Sequence, residues 1–154
     1  MREFAVPPAD RRKVHRNLTG RTFYDKRYCR PLMRYLGDVI GCDPGEIDGY
    51  RVTIEHVLPR SPRRDARWRR EFPTAEDIRN HAHRIGNLVF LSHADNQAVG
   101  NCDYDLKREI LAASGFTFTA AAAAEPAWTK EVITRRTEEL AAALFAHWGL
   151  DVVK

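Results

Sequence analysis

Cysteine is scarce in this chain, and its three positions, Cys29, Cys42 and Cys102, form no C-x-x-C pair. That spacing supports neither a disulfide framework nor a structural zinc knuckle, so reduced and mostly buried thiols are expected. No apolar run reaches the roughly 18 residues a membrane helix needs, and the mean hydropathy is −0.50. Lysine is rare: 20 of the 25 cations are arginine. There is no internal repeat, no P-loop and no other nucleotide-binding motif. The opening residues, Met1 through Pro8, put charges and prolines where a secretory segment must be apolar, so a cytoplasmic location is expected.

What remains is 154 residues, 44% hydrophobic and 30% charged, enough for one domain with its own core. The net charge of +4 hides an asymmetry. Residues 1–70 carry 17 basic and 9 acidic side chains, whereas residues 71–154 carry 8 and 12. A positive half beside a negative half points to a polyanionic partner at one end of the molecule.

Hydrophobic spacing outlines an α+β chain with few strands. Residues 1–20 form a polar, basic lead-in without a clear period. From Thr22 to Ile40 the apolar positions recur at three and four, a helical stripe that Pro31 kinks or divides. Gly41 to Gly45 reads as a loop, and Tyr50 to Ile54 alternates as a strand ending at Glu55 and His56. Six arginines fall within Arg60 to Arg70, with Trp68 among them. A helix is expected from Pro73–Thr74 to about Ala82, a strand over Asn87 to Leu91, and a helix capped near Asp95. A further helix is expected over Tyr104 to Ala113. Ala120 to Ala124 is low in complexity. Thr129 caps a last helix, reaching about Trp148 and ended by Gly149.

Two segments carry the chemistry. One runs Thr53, Ile54, Glu55, His56, Val57, Leu58, Pro59; the other runs Gly86, Asn87, Leu88, Val89, Phe90, Leu91 and is followed by Asn96. Neighbouring residues on a strand face opposite ways, so Glu55 and His56 share a target only if the strand ends or bends, as Pro59 favours. A carboxylate and an amide form a sparse oxygen site suited to Mg²⁺ or Mn²⁺, which retain most of their waters. The imidazole is then left to act as a base.

This ordered set resembles the HNH endonuclease motif on its ββα-metal (His-Me) finger. More closely, it is similar to the C-terminal domain of GmrSD-type restriction endonucleases. There the pattern is I-E-H-x-L-P, then G-N-L preceded by a histidine, an asparagine, an aromatic-x-x-Lys, and a Trp-Thr ahead of an arginine-bearing helix. Here these are Ile54 to Pro59, His83 to Leu88, Asn96, Tyr104 to Lys107, and Trp128–Thr129 with Arg135 and Arg136. The resemblance spans about Arg21 to Trp148. It implies a small ββα-metal core, about residues 50–110, embedded in flanking helices within a nuclease domain over 21–154.

The resemblance assigns His56 and Asn87 as catalytic residues, His56 as the general base and Asn87 orienting the histidine or its loop. Glu55 and Asn96 would hold one divalent cation, Mg²⁺ or in its place Mn²⁺, with His93 as second choice and no structural zinc. The implied reaction is in-line attack of water on a DNA phosphodiester, nicking the duplex, in restriction or anti-phage defence. Arg60, Arg63, Arg64, Arg67 and Lys107 are the candidate DNA contacts, with a solvated surface as the alternative for each. Trp68 either stacks on a base or anchors its loop. His81 and His83 lack cysteine partners and read as supporting residues rather than zinc ligands. Two rival readings are a DNA-binding domain without chemistry and the nuclease half of a split enzyme. The second would need a ParB-like partner in trans, because the group joins this domain to such a module.

Overall fold

The computed structural model describes residues 6–41 and 52–152. Cys42, most of the Gly41–Gly45 loop, and Tyr50 and Arg51 of the expected strand lie outside them. The architecture is α+β: helices surround one two-stranded antiparallel sheet. No helix among the described residues is long and apolar enough to cross a membrane.

The polar stretch without a period contains helix α1 (Pro8–Thr19). Its proline stands where no helical N–H partner is needed, and only Leu18 is fully buried, which explains the weak apolar signal. It lies on the last helix, α8 (Lys130–His147), through His15, which meets Glu138 at 3.1 Å and the Phe145 ring edge-on. The next stripe is divided, but at Lys26–Tyr28 rather than at the expected Pro31, because a proline in the first turn of a helix has no N–H partner to lose. A 3₁₀ turn over Phe23–Asp25 is followed by α2 (Cys29–Val39), with the proline inside its first turn.

Strand β1 (Val52–His56) pairs with β2 (Leu88–Ser92), in a register running from Val52 opposite Ser92 to His56 opposite Leu88. β1 ends at His56, as the sequence suggests, and β2 lies one residue later than expected. Asn87 belongs instead to a 3₁₀ turn, Ile85–Asn87, that precedes β2. Leu88 to Leu91 are all buried, so β2 is apolar without alternation. Its outer edge is closed by α7 (Thr117–Ala123). The Thr119 hydroxyl accepts from Phe90 N at 3.0 Å and donates to Phe90 O at 2.6 Å, where a third strand would otherwise pair. The alanine-rich segment is thus helical, with Ala122 and Ala123 packed in the core.

A short helix, α3 (Trp68–Glu71), follows the arginine loop, and α4 (Ala75–His81) starts at a reciprocal capping box between Thr74 and Asp77. The chain passes from β2 directly into α5 (His93–Val99), capped by Ser92, which accepts from Asp95 N at 3.0 Å. Helix α6 (Tyr104–Ala113) comes next. Thr129 caps α8 by accepting from Val132 N.

Candidate active site

The backbone after β1 is held by one amide. Val57 N donates to Asn87 O at 3.0 Å and Leu58 N to Asn87 Oδ1 at 2.8 Å. Asn87 Nδ2 donates to Leu58 O and to Ala82 O. The indole N–H of Trp128 supplies the second donor to Oδ1 at 2.9 Å. Every donor and acceptor of the Asn87 side chain is used, and the residue is 0% exposed. A saturated, enclosed amide is positioned to orient backbone rather than to touch a phosphate, in line with the expected orienting role. Asn87 orients the loop that follows His56.

The preceding glycine has a steric cause. A Cβ on Gly86 would lie 2.3 Å from Ile133 O and 2.6 Å from Thr137 N. Only a bare Cα lets this turn seat against α8, where Gly86 N donates to Thr137 Oγ1 and Gly86 O accepts from Arg136 Nε at 3.0 Å. The buried Arg136 guanidinium lies 5.2 Å from the Trp128 ring centre, and burial lowers its pKa to about 10. The G-N, W-T and Arg elements of the sequence therefore form one clamp behind the strand end.

Lys107 is not where the sequence reading put it. Its side chain is 0% exposed, and its ammonium donates to Glu55 Oε1 at 2.8 Å and to His56 O at 2.9 Å. The correction is that Lys107 belongs neither to solvent nor to a DNA phosphate: a buried ammonium requires a counter-charge, and Glu55 is that counter-charge. Burial lowers its pKa, and the Glu55 carboxylate opposes the shift.

Asn96, in the first turns of α5, donates from Nδ2 to Thr53 Oγ1 at 2.6 Å. Thr53 and Glu55 are two apart on β1 and so share a face, which brings Asn96 and Lys107 to the same side of the sheet. Glu55 Oε2 and Asn96 Oδ1 carry no hydrogen bond from the described residues. One carboxylate oxygen and one amide oxygen are thus available, and both are hard donors that fit Mg²⁺ or Mn²⁺. Among the described residues no three His, Cys, Asp or Glu side chains group so as to hold a metal. His93 is exposed and faces the Gln97 amide at 3.2 Å.

Among the described residues the His56 ring makes no hydrogen bond, and it is held by other rings. Tyr24 meets it edge-on at 4.3 Å between centroids, and His83 lies at 5.2 Å. Nε2 is enclosed without a partner. Burial first, then the nearby charges of His83, Arg60 and Lys107, push the His56 pKa down to about 3, so the imidazole is neutral at physiological pH. His83 is itself held by Asp25, Nδ1 to Oδ1 at 2.9 Å. His81 Nδ1 bonds Asp77 O within α4.

The arginine loop divides in two. Arg63 pairs with Asp65 at 3.1 Å and Arg67 with Asp105 at 2.6 Å, while Arg60 and Arg64 are exposed with no ion pair among the described residues. Trp68 is an anchor: its indole N–H donates to Cys102 O at 2.9 Å, and its ring packs on Phe72 and Tyr104. Sequence reasoning did not connect Tyr24 and Asp25 to the histidine. Both sit inside an ordinary helical stripe, and only packing carries them to β1.

A family model described as the C-terminal domain of GmrSD restriction endonucleases matches residues 9–143. No curated protein and no solved structure matches the chain. The match begins inside α1 and ends within α8, so it takes in the sheet, the Asn87 clamp and the His56 pocket together. This chain belongs to the family of GmrSD restriction endonuclease C-terminal domains.

Proposed function

We propose that the protein is a metal-dependent HNH-type endonuclease that hydrolyses DNA phosphodiesters and nicks duplex DNA in restriction or anti-phage defence. In this reading β1, β2 and α5 form a ββα-metal finger. The observation that carries the reading is His56: a neutral imidazole with no hydrogen bond among the described residues, at a strand end beside Glu55, in a chain of this family.

With its proton on the enclosed Nε2, His56 has a lone pair on Nδ1 to take a proton from water. The water oxygen forms a bond to phosphorus, the bond to the 3′ oxygen breaks, and the leaving oxygen is protonated by solvent. A bound phosphate brings negative charge to the pocket, which raises the affinity of the imidazole for that proton. Glu55 and Asn96 are the donors for one divalent cation, with His93 as second choice. Held there, a divalent cation would supply charge neutralisation at the phosphate and at the leaving oxygen. Lys107 holds Glu55 and the His56 carbonyl in place. Arg60, whose charge reaches His56, and Arg64 are exposed with no ion pair among the described residues, and are the loop arginines that would contact backbone phosphates.

The test is conversion of supercoiled plasmid to open circles with Mg²⁺ or Mn²⁺, abolished by chelator. His56→Ala should cut at least about 100-fold more slowly while binding a labelled duplex as tightly as the parent. Cleavage by His56→Ala at the parental rate would remove the base assignment. A parent that binds duplex DNA but cuts it with neither metal would favour the binding-domain reading.

A further inference from the structure

The cation excess of the first half does not reside mainly in the arginine loop. Residues 6–41 carry nine Lys and Arg against three carboxylates, Asp10, Asp25 and Asp38, and Asp25 is engaged by His83. In the loop, by contrast, Arg63 and Arg67 have carboxylate partners of their own.

We propose that Lys26, Arg27 and Arg30, with Tyr28 between them, form the surface that grips the backbone phosphates of duplex DNA on the Tyr24 side of His56. This deepens the nuclease reading and rests on it. All four side chains are exposed, and the three cations have no ion pair among the described residues. Their backbone is anchored from below. Phe23 and Cys29 are buried on either side, Lys26 N donates to Phe23 O, and Cys29 N donates to Lys26 O at 2.9 Å.

The same segment is tied to the pocket. Tyr24 N donates to His83 O at 3.0 Å while the Tyr24 ring covers His56. Lys26 follows Tyr24 by two residues, at most about 7 Å of chain. Phosphates rise about 3.4 Å per nucleotide along one strand. A strand with its scissile phosphate at His56 and running toward Tyr24 therefore places its next phosphates over Lys26, Arg27 and Arg30. Tyr28 adds an aromatic face among the cations, and its ring is braced edge-on against Phe23.

The test measures anisotropy of a labelled DNA duplex across a salt series, with chelator present so that no cutting occurs. The triple variant Lys26→Gln, Arg27→Gln, Arg30→Gln should lower the slope of log affinity against log salt by about one per cation removed. The pair Arg27→Lys, Arg30→Lys keeps the charge and should keep the slope. An unchanged slope in a triple variant whose thermal melt matches the parent would overturn the surface. Plasmid cutting by the parent is scored separately. If the triple variant shows the lower slope but the parent does not cut, the nuclease reading is sunk and the surface stands; a parent that binds no duplex overturns both.

Discussion

Trp128 donates its indole N–H to Asn87 Oδ1 at 2.9 Å, joining the turn before β2 to the approach to α8. The same oxygen accepts from Leu58 N, so the indole and the loop after His56 meet on one atom. Trp128→Phe keeps most of the ring and removes that donor. It should cost about 1–2 kcal/mol in urea unfolding and slow plasmid cutting through a loosened His56 loop. Asn87→Ala strands Leu58 N, Leu58 O and Ala82 O together, and should cost about 3 kcal/mol or more. Equal losses for the two variants would show that Asn87 acts only through the tryptophan.

Gly86 has no room for a methyl group. Its Cβ would meet backbone atoms of α8 at 2.3 and 2.6 Å, and backbone cannot swing aside as a flexible side-chain end can. Gly86→Ala should destabilise the fold by about 3 kcal/mol, read as a lower midpoint in urea with the slope unchanged. A midpoint like that of the parent would mean that α8 is free to shift.

Glu55 and Lys107 should show strong coupling. Lys107→Met leaves a carboxylate without its buried counter-charge and should cost about 3 kcal/mol or more. Adding Glu55→Gln removes the unpaired charge and should recover a large part of that loss, although the carboxylate proposed to hold the metal is then an amide. Additive losses in the double variant would argue against the pair.

Asp77 predicts a pH dependence. Lys130 and Thr74 hydrogen-bond its carboxylate and hold its pKa well below the ordinary range. A folded-state pKa below the unfolded one stabilises the protein above the unfolded value, about 4, and that contribution is lost as pH falls from there through the folded pKa. Asp77→Asn should therefore be less stable than the parent at pH 7, with the gap closing below about pH 4. A constant gap in urea unfolding at pH 7 and pH 3 would count against the pairing.

Local rules made several elements legible from sequence. Thr129 ahead of an apolar stripe ended by Gly149 specifies α8, and Thr74 with Asp77 specifies the start of α4, because caps and periods act over a few residues. The Glu55-His56 pair, the Gly86-Asn87 pair and Asn96 were also legible as an ordered set. Together with Tyr104–Lys107 and Trp128–Thr129 they carry the resemblance to the family whose model matches residues 9–143. What each side chain touches was decided only by the tertiary structure. Lys107 reads as a surface lysine on an amphipathic helix until α6 docks and buries its ammonium on Glu55. Asn87 reads as orienting the histidine or its loop, and only the packing of Trp128, Leu58 and Ala82 around its amide shows that it is the loop it holds. Tyr24 is one more stripe residue until the first helices fold over His56. A charge or a hydrogen bond takes its value from the groups that burial places around it, and those groups come from segments that the sequence keeps far apart.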